Sequence, residues 1–329
     1  MQADRAALLR RLGAALAGGT GRDARLPRHP SWKFAVLSYL TTDPLFVALQ
    51  YGVQDACALV GCSSSWGGSA RGEAAELAKA LDVAVAAKVD GIAVPLVRSD
   101  ELNDSVESAL QAGIPLVALN ARAPQDRRLA YIGMRPEPAA AALVSRIAKA
   151  VGKGEVAVFA GTRELTALQP LADAVVAGLG RTGALSASVV STGADVYTQL
   201  NAVAEYADAN RAVRGLLALD TGSTEGLGFA MKKLGLRRRG AIAAGSGVLP
   251  ATLKLIDEGE LAFTIDEQPY QQGFAAALQL FLSRLSGGLV APSDVHTGPV
   301  FVTKENLRPY LTTRTRYEGS SSKQKYPID

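Results

Sequence analysis

Histidine and cysteine are scarce in this 329-residue chain, which contains two of each. The positions of His29, His296, Cys57 and Cys62 do not match the ligand spacing of a structural zinc site. Long apolar runs are also missing, because no stretch approaches the ~20 apolar residues that a membrane-spanning helix needs. We therefore expect neither a bound metal ion nor a transmembrane segment.

Basic residues are only slightly in excess, with 35 Lys and Arg against 31 Asp and Glu and a formal net charge of +4. They are scattered along the chain and are not interleaved with aromatic residues, so no nucleic-acid partner is expected. No Gly-x-Gly-x-x-Gly motif follows the first apolar strand, and no phosphate-binding Gly-x-x-x-x-Gly-Lys-Ser/Thr motif occurs. We therefore expect no nucleotide and no other cofactor.

The two cysteines, Cys57 and Cys62, are five residues apart in the segment DACALVGCSSSW. In an oxidising compartment this pair could close a small disulfide loop. Two buried thiols that behave as small apolar side chains are an equally good interpretation. The sequence leaves both open.

The chain ends differ in character from its centre. The segment LLRRLGAALAGG places an Arg pair before a short apolar run, as export signals do, but glycine interrupts the run and no export signal is clear. We interpret residues 1–31 as an N-terminal lead segment and residues 311–329 as a C-terminal tail.

From Trp32 onward, short apolar segments alternate with longer Ala- and Leu-rich segments. KFAVLSY, DGIAVPL, EVAVFAG and VRGLLALD are typical of buried strands, whereas GEAAELAKALDVAVAAKV has helical spacing. Such alternation predicts right-handed crossovers and parallel sheets that are covered on both faces. The predicted fold class is therefore α/β, and at this length two domains are expected.

The segment LLALDTGSTEGLG contains the Asp-Thr-Gly-Ser sequence typical of aspartic proteases. Those enzymes need two aspartates, but the motif occurs once here, and a protease of that class would consist almost entirely of strands. Asp220 instead ends an apolar strand and precedes a helix, which places it at the carboxyl edge of a parallel sheet, where open α/β sheets bind ligands. Asp220 is thus a ligand-contact candidate, with a turn and cap role as the alternative.

Other predicted strand ends also carry polar or aromatic side chains. No nucleophile is paired with a base among them, and Gly-x-Ser-x-Gly is absent, so the set describes a binding cleft for a small polar molecule and not an enzyme centre. The candidates are Asp43, Phe46, Trp66, Arg98, Asn120 and Arg122.

Several segments together resemble a known family. WKFAVLSYLTTDPLF, KVDGIAVPLV, AGIPLVALNARAP and ATLKLIDEGELAFTIDEQPYQQGF occur in the order found in type I periplasmic solute-binding proteins of the ribose-binding group. Those proteins serve ABC importers of simple sugars and polyols. The resemblance covers nearly the whole chain after Trp32, and IDEQPYQQG and LNARAP are its most specific segments.

The resemblance implies two Rossmann-like lobes with parallel sheets, joined by a three-strand hinge. The first lobe would contain residues 32–124 and 268–297, and the second would contain residues 125–267 and 298–310. The lobes would close around a sugar, a polyol or another small polar solute, because contacts made by both lobes exist only in the closed state. The resemblance further implies an extracytoplasmic monomer that delivers its solute to an ABC permease.

The family pattern also assigns roles to individual residues. Asp43 and Asn120 stand at polar positions of the family, Phe46 and Trp66 at aromatic positions, and Gln268 at the hinge glutamine. Asp220 stands at the polar position of the second lobe.

The sequence departs from the family pattern where carboxylates are common, because Arg98 and Arg122 stand there. Leu171 and Gly247 also replace polar residues of the pattern. Since guanidinium groups bind carboxylates, one hypothesis is an anionic solute such as a sugar acid. The alternative is that the two arginines point to solvent or pair with Asp100 and Asp126.

Two other functions remain in competition with a transport receptor. The first is a ligand-sensing binding protein for a signalling receptor, because more than one kind of membrane protein can recognise the closed arrangement of the lobes. The second is a sugar-modifying enzyme, in which acid–base work would fall to Asp43 or Asp220 alone.

Overall fold

A computed structural model describes residues 28–123, 125–161, 168–193, 195–312 and 314–322. The chain divides into two units, residues 1–31 and residues 32–329. Most of the predicted lead segment and the end of the predicted tail, residues 323–329, lie outside the described residues, as do residues 162–167, which follow the apolar segment EVAVFAG.

The first sheet contains six strands within the described residues. Its order across the sheet is β11, β5, β4, β3, β1, β2, and all neighbouring pairs are parallel. The strands are β1 Lys33–Ser38, β2 Ser63–Gly68, β3 Gly91–Val94, β4 Leu116–Leu119, β5 Ala130–Gly133 and β11 Val295–His296. We call the part of the molecule built on this sheet lobe 1.

The second sheet repeats this arrangement over the part of the chain that the structure describes. Its order is β12, β10, β9, β8, β6, β7, and every neighbouring pair is parallel except the antiparallel pair of β10 and β12. The strands are β6 Gly154–Ala160, β7 Leu185–Ser191, β8 Gly215–Ala218, β9 Ile242–Ser246, β10 Phe263–Asp266 and β12 Val300–Thr303. We call the part built on this sheet lobe 2.

Helices connect most successive strands and cover both faces of each sheet. Lobe 1 contains α1 Leu45–Val60, α2 Ala74–Ala86, α3 Ser99–Gln111 and α9 Pro269–Leu285. Lobe 2 contains α4 Pro136–Val151, α5 Gln169–Gly180, α6 Val196–Ala209, α7 Thr221–Leu234, α8 Pro250–Asp257 and α10 Arg308–Thr312.

The strand sequences explain this double coverage. In β1, Phe34 and Val36 pack into one hydrophobic cluster, and Ala35 and Leu37 pack into another on the opposite face. A strand that is buried on both faces needs a continuous apolar sequence, which is what KFAVLS supplies. These features confirm the predicted α/β fold class with two parallel-sheet lobes.

The chain passes from one sheet to the other between β5 and α4, between β10 and α9, and between β11 and β12. The first passage lies later than we predicted. We placed the end of the first lobe at residue 124, but β5 pairs in parallel with β4 and its residues AYIG are all buried. Because β5 completes the first sheet, lobe 1 continues to Gly133.

Helices α1 and α9 pack closely on one face of lobe 1. A Cβ atom on Gly52 would collide with the backbone of Tyr270, and one on Gly273 would collide with the backbone of Leu49. Glycine at both positions therefore lets the two helix backbones approach each other.

Cys57 and Cys62 form a disulfide that joins the last turns of α1 to the segment leading into β2. The bonded pair is the first of the two alternatives that the sequence left open. Over the part of the chain that the structure describes, every helix falls short of what a membrane crossing requires in length and apolarity.

Candidate ligand-binding site

A cavity of about 90 Å³ lies where the carboxyl ends of the two sheets face each other. In this measure one water molecule takes roughly 10–15 Å³, so the space holds several waters or part of one small solute. Lobe 1 contributes Tyr39, Asp43, Asn120 and Arg122, and lobe 2 contributes Asp220, Thr221 and Ser246, with Glu267 at the second passage between the lobes. Carboxyl edges of parallel strands are the usual ligand sites of such sheets.

Asp220 lines this cavity and also caps helix α7. Its Oδ1 accepts a 2.8 Å hydrogen bond from the backbone N–H of Ser223, and its Oδ2 accepts a 2.9 Å bond from the Ser223 hydroxyl. Desolvation in the cleft raises the pKa of Asp220 to about 6, although these hydrogen bonds oppose the rise. The cap fixes the direction of the carboxylate, so the capping and ligand-facing roles are compatible.

Asp43 faces the cavity from lobe 1. Its Oδ1 accepts a 2.9 Å hydrogen bond from the backbone N–H of Leu45, and its Oδ2 lies 3.4 Å from the hydroxyl of Tyr39, which donates to it. Desolvation raises the pKa of Asp43, and the negative charge of Asp43 in turn contributes to the raised pKa of Asp220. The two carboxylates thus approach one space from opposite lobes.

Glu267 is a third carboxylate on the cavity, and the sequence analysis missed it. Its Oε1 accepts a 3.2 Å hydrogen bond from the Ser246 hydroxyl in lobe 2, and its Oε2 accepts a 3.3 Å bond from Asn120 Nδ2 in lobe 1. Desolvation raises the pKa of Glu267 to about 7. The signal was available, since Glu267 follows β10 directly within the specific segment IDEQPYQQG, next to Gln268.

Asn120 is held in place by a buried amide network. Its backbone adopts a left-handed φ of 64°, and its Nδ2 also lies 3.2 Å from Oε1 of Gln272. The Nε2 of Gln272 donates to the carbonyl of Glu267 at 2.8 Å and to the Thr297 hydroxyl at 3.1 Å. This network connects two of the passages between lobes to the cavity.

The two arginines have different positions. Arg122 lines the cavity, with its guanidinium 5.5 Å from the ring centre of Tyr131 and its Nη2 3.4 Å from Oε1 of Glu137. Arg98 is outside the lining and forms ion pairs with Asp100 at 2.7 Å and Glu101 at 3.1 Å.

Arg98 thus pairs with Asp100, as the alternative stated, whereas Arg122 lies beside Glu137 and not beside Asp126. Asp126 instead pairs with Arg128.

Three other predicted site residues lie outside this cavity. Phe46 is 2% exposed in the core of lobe 1, with its ring edge-on to Tyr39 at 5.7 Å. Trp66 lines a separate surface cavity beside Leu37 and Ala84. The side chain of Gln268 lines another cavity near Tyr270, because a left-handed φ of 60° turns the chain there.

Aromatic and apolar lining comes from residues that the sequence analysis did not select. Tyr39 and Tyr131 are aromatic residues that line the cavity. Leu171, which we noted as an apolar replacement in the family pattern, lines the cavity together with Leu168 and Leu219. Among the described residues, no group of three or more His, Cys, Asp or Glu side chains could hold a metal ion.

Comparison with known proteins agrees with this geometry. Residues 34–283 match the family described as periplasmic binding protein domain. The xylose/arabinose-binding protein XylF of Sulfolobus acidocaldarius is 36% identical over 316 residues, which cover 92% of this chain and 78% of that protein.

Solved structures of similar fold include an ABC transporter solute-binding protein from Burkholderia graminis in complex with D-arabinose, with a TM-score of 0.79 and 21% identity over 86% of this chain and 98% of that one. A carbohydrate transporter from Acidothermus cellulolyticus in complex with myo-inositol has a TM-score of 0.76 and 24% identity over 89% of this chain and 100% of that one. The chain belongs to the periplasmic binding protein family, whose members bind solutes and are not enzymes.

Proposed function

We propose that this protein is the extracytoplasmic receptor of an ABC importer and that it captures a neutral sugar or polyol between its lobes. The observation that carries this proposal is the convergence of Asp43, Asp220 and Glu267 on one cavity. Ionised carboxylates accept hydrogen bonds from hydroxyl groups, and such charge-assisted bonds are stronger than neutral ones.

A neutral solute fits this cavity better than the sugar acid that we considered from the sequence. Arg122 is the one cationic side chain among the described lining residues, and Glu137 already lies beside it. Above the raised pKa values of Asp220 and Glu267, an anionic solute would face ionised carboxylates, and like charges in a desolvated site repel strongly. The resemblance to a xylose/arabinose-binding protein favours an aldopentose within the neutral class.

The contacts also support capture by closure. Asp43 and Asn120 belong to lobe 1, Asp220 and Ser246 belong to lobe 2, and Glu267 accepts a hydrogen bond from each lobe. A solute that touches both sets stabilises the closed arrangement only, so binding shifts the population toward closure. The disulfide of Cys57 and Cys62 supports a location in an oxidising compartment outside the cytoplasm.

A thermal-shift screen tests this proposal, because a solute that binds only the native state raises the unfolding temperature. The library would contain pentoses, hexoses, polyols and the matching aldonic and uronic acids. We expect a rise with one or a few neutral members, lost in Asp220→Asn and retained in the exposed control Asp100→Asn. A rise with the acids alone would overturn the neutral assignment.

A further inference from the structure

Residues 314–322, which we call the C-terminal strap, leave lobe 2 and end on lobe 1. The strap follows α10, which packs against α8 of lobe 2. On that side Leu307 is 2% exposed in a core cluster of lobe 2, and the Tyr310 hydroxyl donates a 3.2 Å hydrogen bond to Oδ2 of Asp266. The strap therefore starts from a firmly packed part of lobe 2.

The other end of the strap is joined to lobe 1 by a two-pronged ion pair. Nη2 of Arg316 lies 2.7 Å from Oδ1 of Asp55, and Nε of Arg316 lies 3.1 Å from Oδ2. The two side chains are 17% and 18% exposed, and the Tyr270 hydroxyl donates a further 2.9 Å hydrogen bond to Oδ2 of Asp55. Because both carboxylate oxygens of Asp55 contact the planar guanidinium and the pair is largely buried, this contact fixes the orientation of the Arg316 side chain as well as its position.

Further contacts hold the strap along α1. The Arg316 guanidinium lies 4.6 Å from the ring centre of Tyr51, and the ring of Tyr317 meets that of Tyr270 edge-on at 4.8 Å. Gly319 has a φ of 79°, and a Cβ atom there would lie 3.0 Å from the backbone nitrogen of Ala48. The strap is therefore seated closely on lobe 1, beside the start of α1.

A cavity of about 260 Å³ separates the strap from the second passage between the lobes. It is lined by Asp266, Gln268, Tyr270, Tyr310, Tyr317 and Glu318. The strap is thus joined to lobe 1 by its own side chains and to lobe 2 through α10, with open space between it and the second passage.

We infer that the C-terminal strap is a fourth connection between the lobes and that this connection limits how far the lobes open. Arg316 is then a positioning residue for solute capture, although it does not line the solute cavity. The strap contacts lobe 1, and α10, which precedes it, packs on lobe 2, in the arrangement where Asp43, Asp220 and Glu267 share one cavity. Releasing the strap therefore removes contacts that favour this arrangement, and apparent affinity falls with the population of the binding-competent state. The inference rests on the proposed capture of a solute by closure.

The test measures the separation of the lobes before any solute is added. Spin labels at the exposed positions Ser108 in lobe 1 and Lys149 in lobe 2 report the interlobe distance distribution by pulsed electron resonance. We expect Arg316→Ala to broaden this distribution and shift it to longer distances in the absence of sugar. Arg316→Lys should restore most of the native distribution, and Arg314→Gln, at an exposed position of the same strap, should leave it unchanged.

The same variants are then titrated with D-xylose or the neutral sugar that binds best. We expect Arg316→Ala to weaken binding about fivefold or more, mainly through faster dissociation. If Arg316→Ala does not fold, Asp55→Asn removes the charge of the partner and is measured in the same way. An unchanged distance distribution together with unchanged affinity would overturn the inference, even if the unfolding temperature falls. Because the distances are measured without solute, failure to find a sugar ligand would count against the proposed function and not against the strap.

Discussion

Glu267 and Asn120 are joined by a 3.3 Å hydrogen bond from Asn120 Nδ2 to Glu267 Oε2, at the point where the chain passes from lobe 2 to lobe 1. The other carboxylate oxygen of Glu267 accepts from Ser246 of lobe 2. One carboxylate therefore contacts both lobes and the solute cavity at once. This relationship makes Glu267 the residue whose substitution should most clearly separate binding from stability.

Glu267→Gln should weaken sugar binding while leaving the sugar-free protein at least as stable at pH 8. The amide keeps the size of the side chain but is a weaker acceptor, and hydrogen bonds to charged groups contribute about 1.5–3 kcal/mol, or roughly 10- to 100-fold in affinity. The amide also avoids the cost of holding a charge in a desolvated place. Calorimetric titration and chemical unfolding measure the two effects, with Asp100→Asn as the exposed control. Equal sugar affinity of Glu267→Gln and the native protein would contradict a role of Glu267 in binding.

The stability of the sugar-free protein should fall as the pH rises from about 4 to about 7. A carboxyl group whose pKa is higher in the folded than in the unfolded state keeps its proton in the folded state between the two values, so stability is lost as pH rises through that window. The window runs from 3.8 to about 6 for Asp220 and from 4.5 to about 7 for Glu267. Urea unfolding at a series of pH values measures this slope.

The double variant Asp220→Asn/Glu267→Gln provides the comparison for that slope, because it removes both titrating groups. We expect its stability to change less than that of the native protein between pH 4 and pH 7. Parallel curves for the two proteins would show that these carboxyls do not titrate as described.

Loss of the disulfide should reduce stability without changing sugar affinity. Closing a loop of this length restricts the unfolded chain by about 2 kcal/mol, whereas Cys57 lies at the far end of α1 from Leu45, which lines the solute cavity. Cys57→Ser/Cys62→Ser should therefore unfold at lower urea concentration and bind sugar normally. A marked fall in affinity with little change in stability would contradict this separation.

Gly52→Ala should destabilise the protein strongly, because its methyl group would collide with the backbone of Tyr270 on α9. Overpacking of a tight contact usually costs about 1–3 kcal/mol. Gly180→Ala provides the matched control, because a Cβ atom at Gly180 would have free space around it. If Gly52→Ala unfolds at no lower urea concentration than Gly180→Ala, the close approach of α1 and α9 is not as described.

The fold could be predicted from the sequence because strands buried on both faces need continuous apolar runs, and KFAVLS and GEVAVFA are such runs. The strand-end rule also placed Asp43, Asn120, Arg122 and Asp220 on the cavity. The rule works because carboxyl ends of parallel strands meet at one edge of the sheet.

What the sequence could not provide is the direction of individual side chains after a strand has ended. Gln268 and Glu267 are adjacent, yet a left-handed residue at Gln268 turns one side chain away while the other faces the solute cavity. Phe46 lies one helical turn beyond Asp43 and points into the core. The contact of the strap with lobe 1 could not be predicted from the sequence for a different reason. Its ion pair joins Arg316 to Asp55, which are 261 positions apart in the sequence.

The most direct test of the central claim, that the cavity binds a neutral sugar, is calorimetric titration of the native protein with D-xylose and with D-xylonate. These two solutes differ mainly in charge and ring closure. At pH 8, where these carboxyls are ionised, the account predicts saturable binding of a neutral sugar such as D-xylose or L-arabinose. The acid should bind at least tenfold more weakly, which corresponds to about 1.4 kcal/mol or more. Tight binding of the acid and no heat with any neutral sugar would contradict the account.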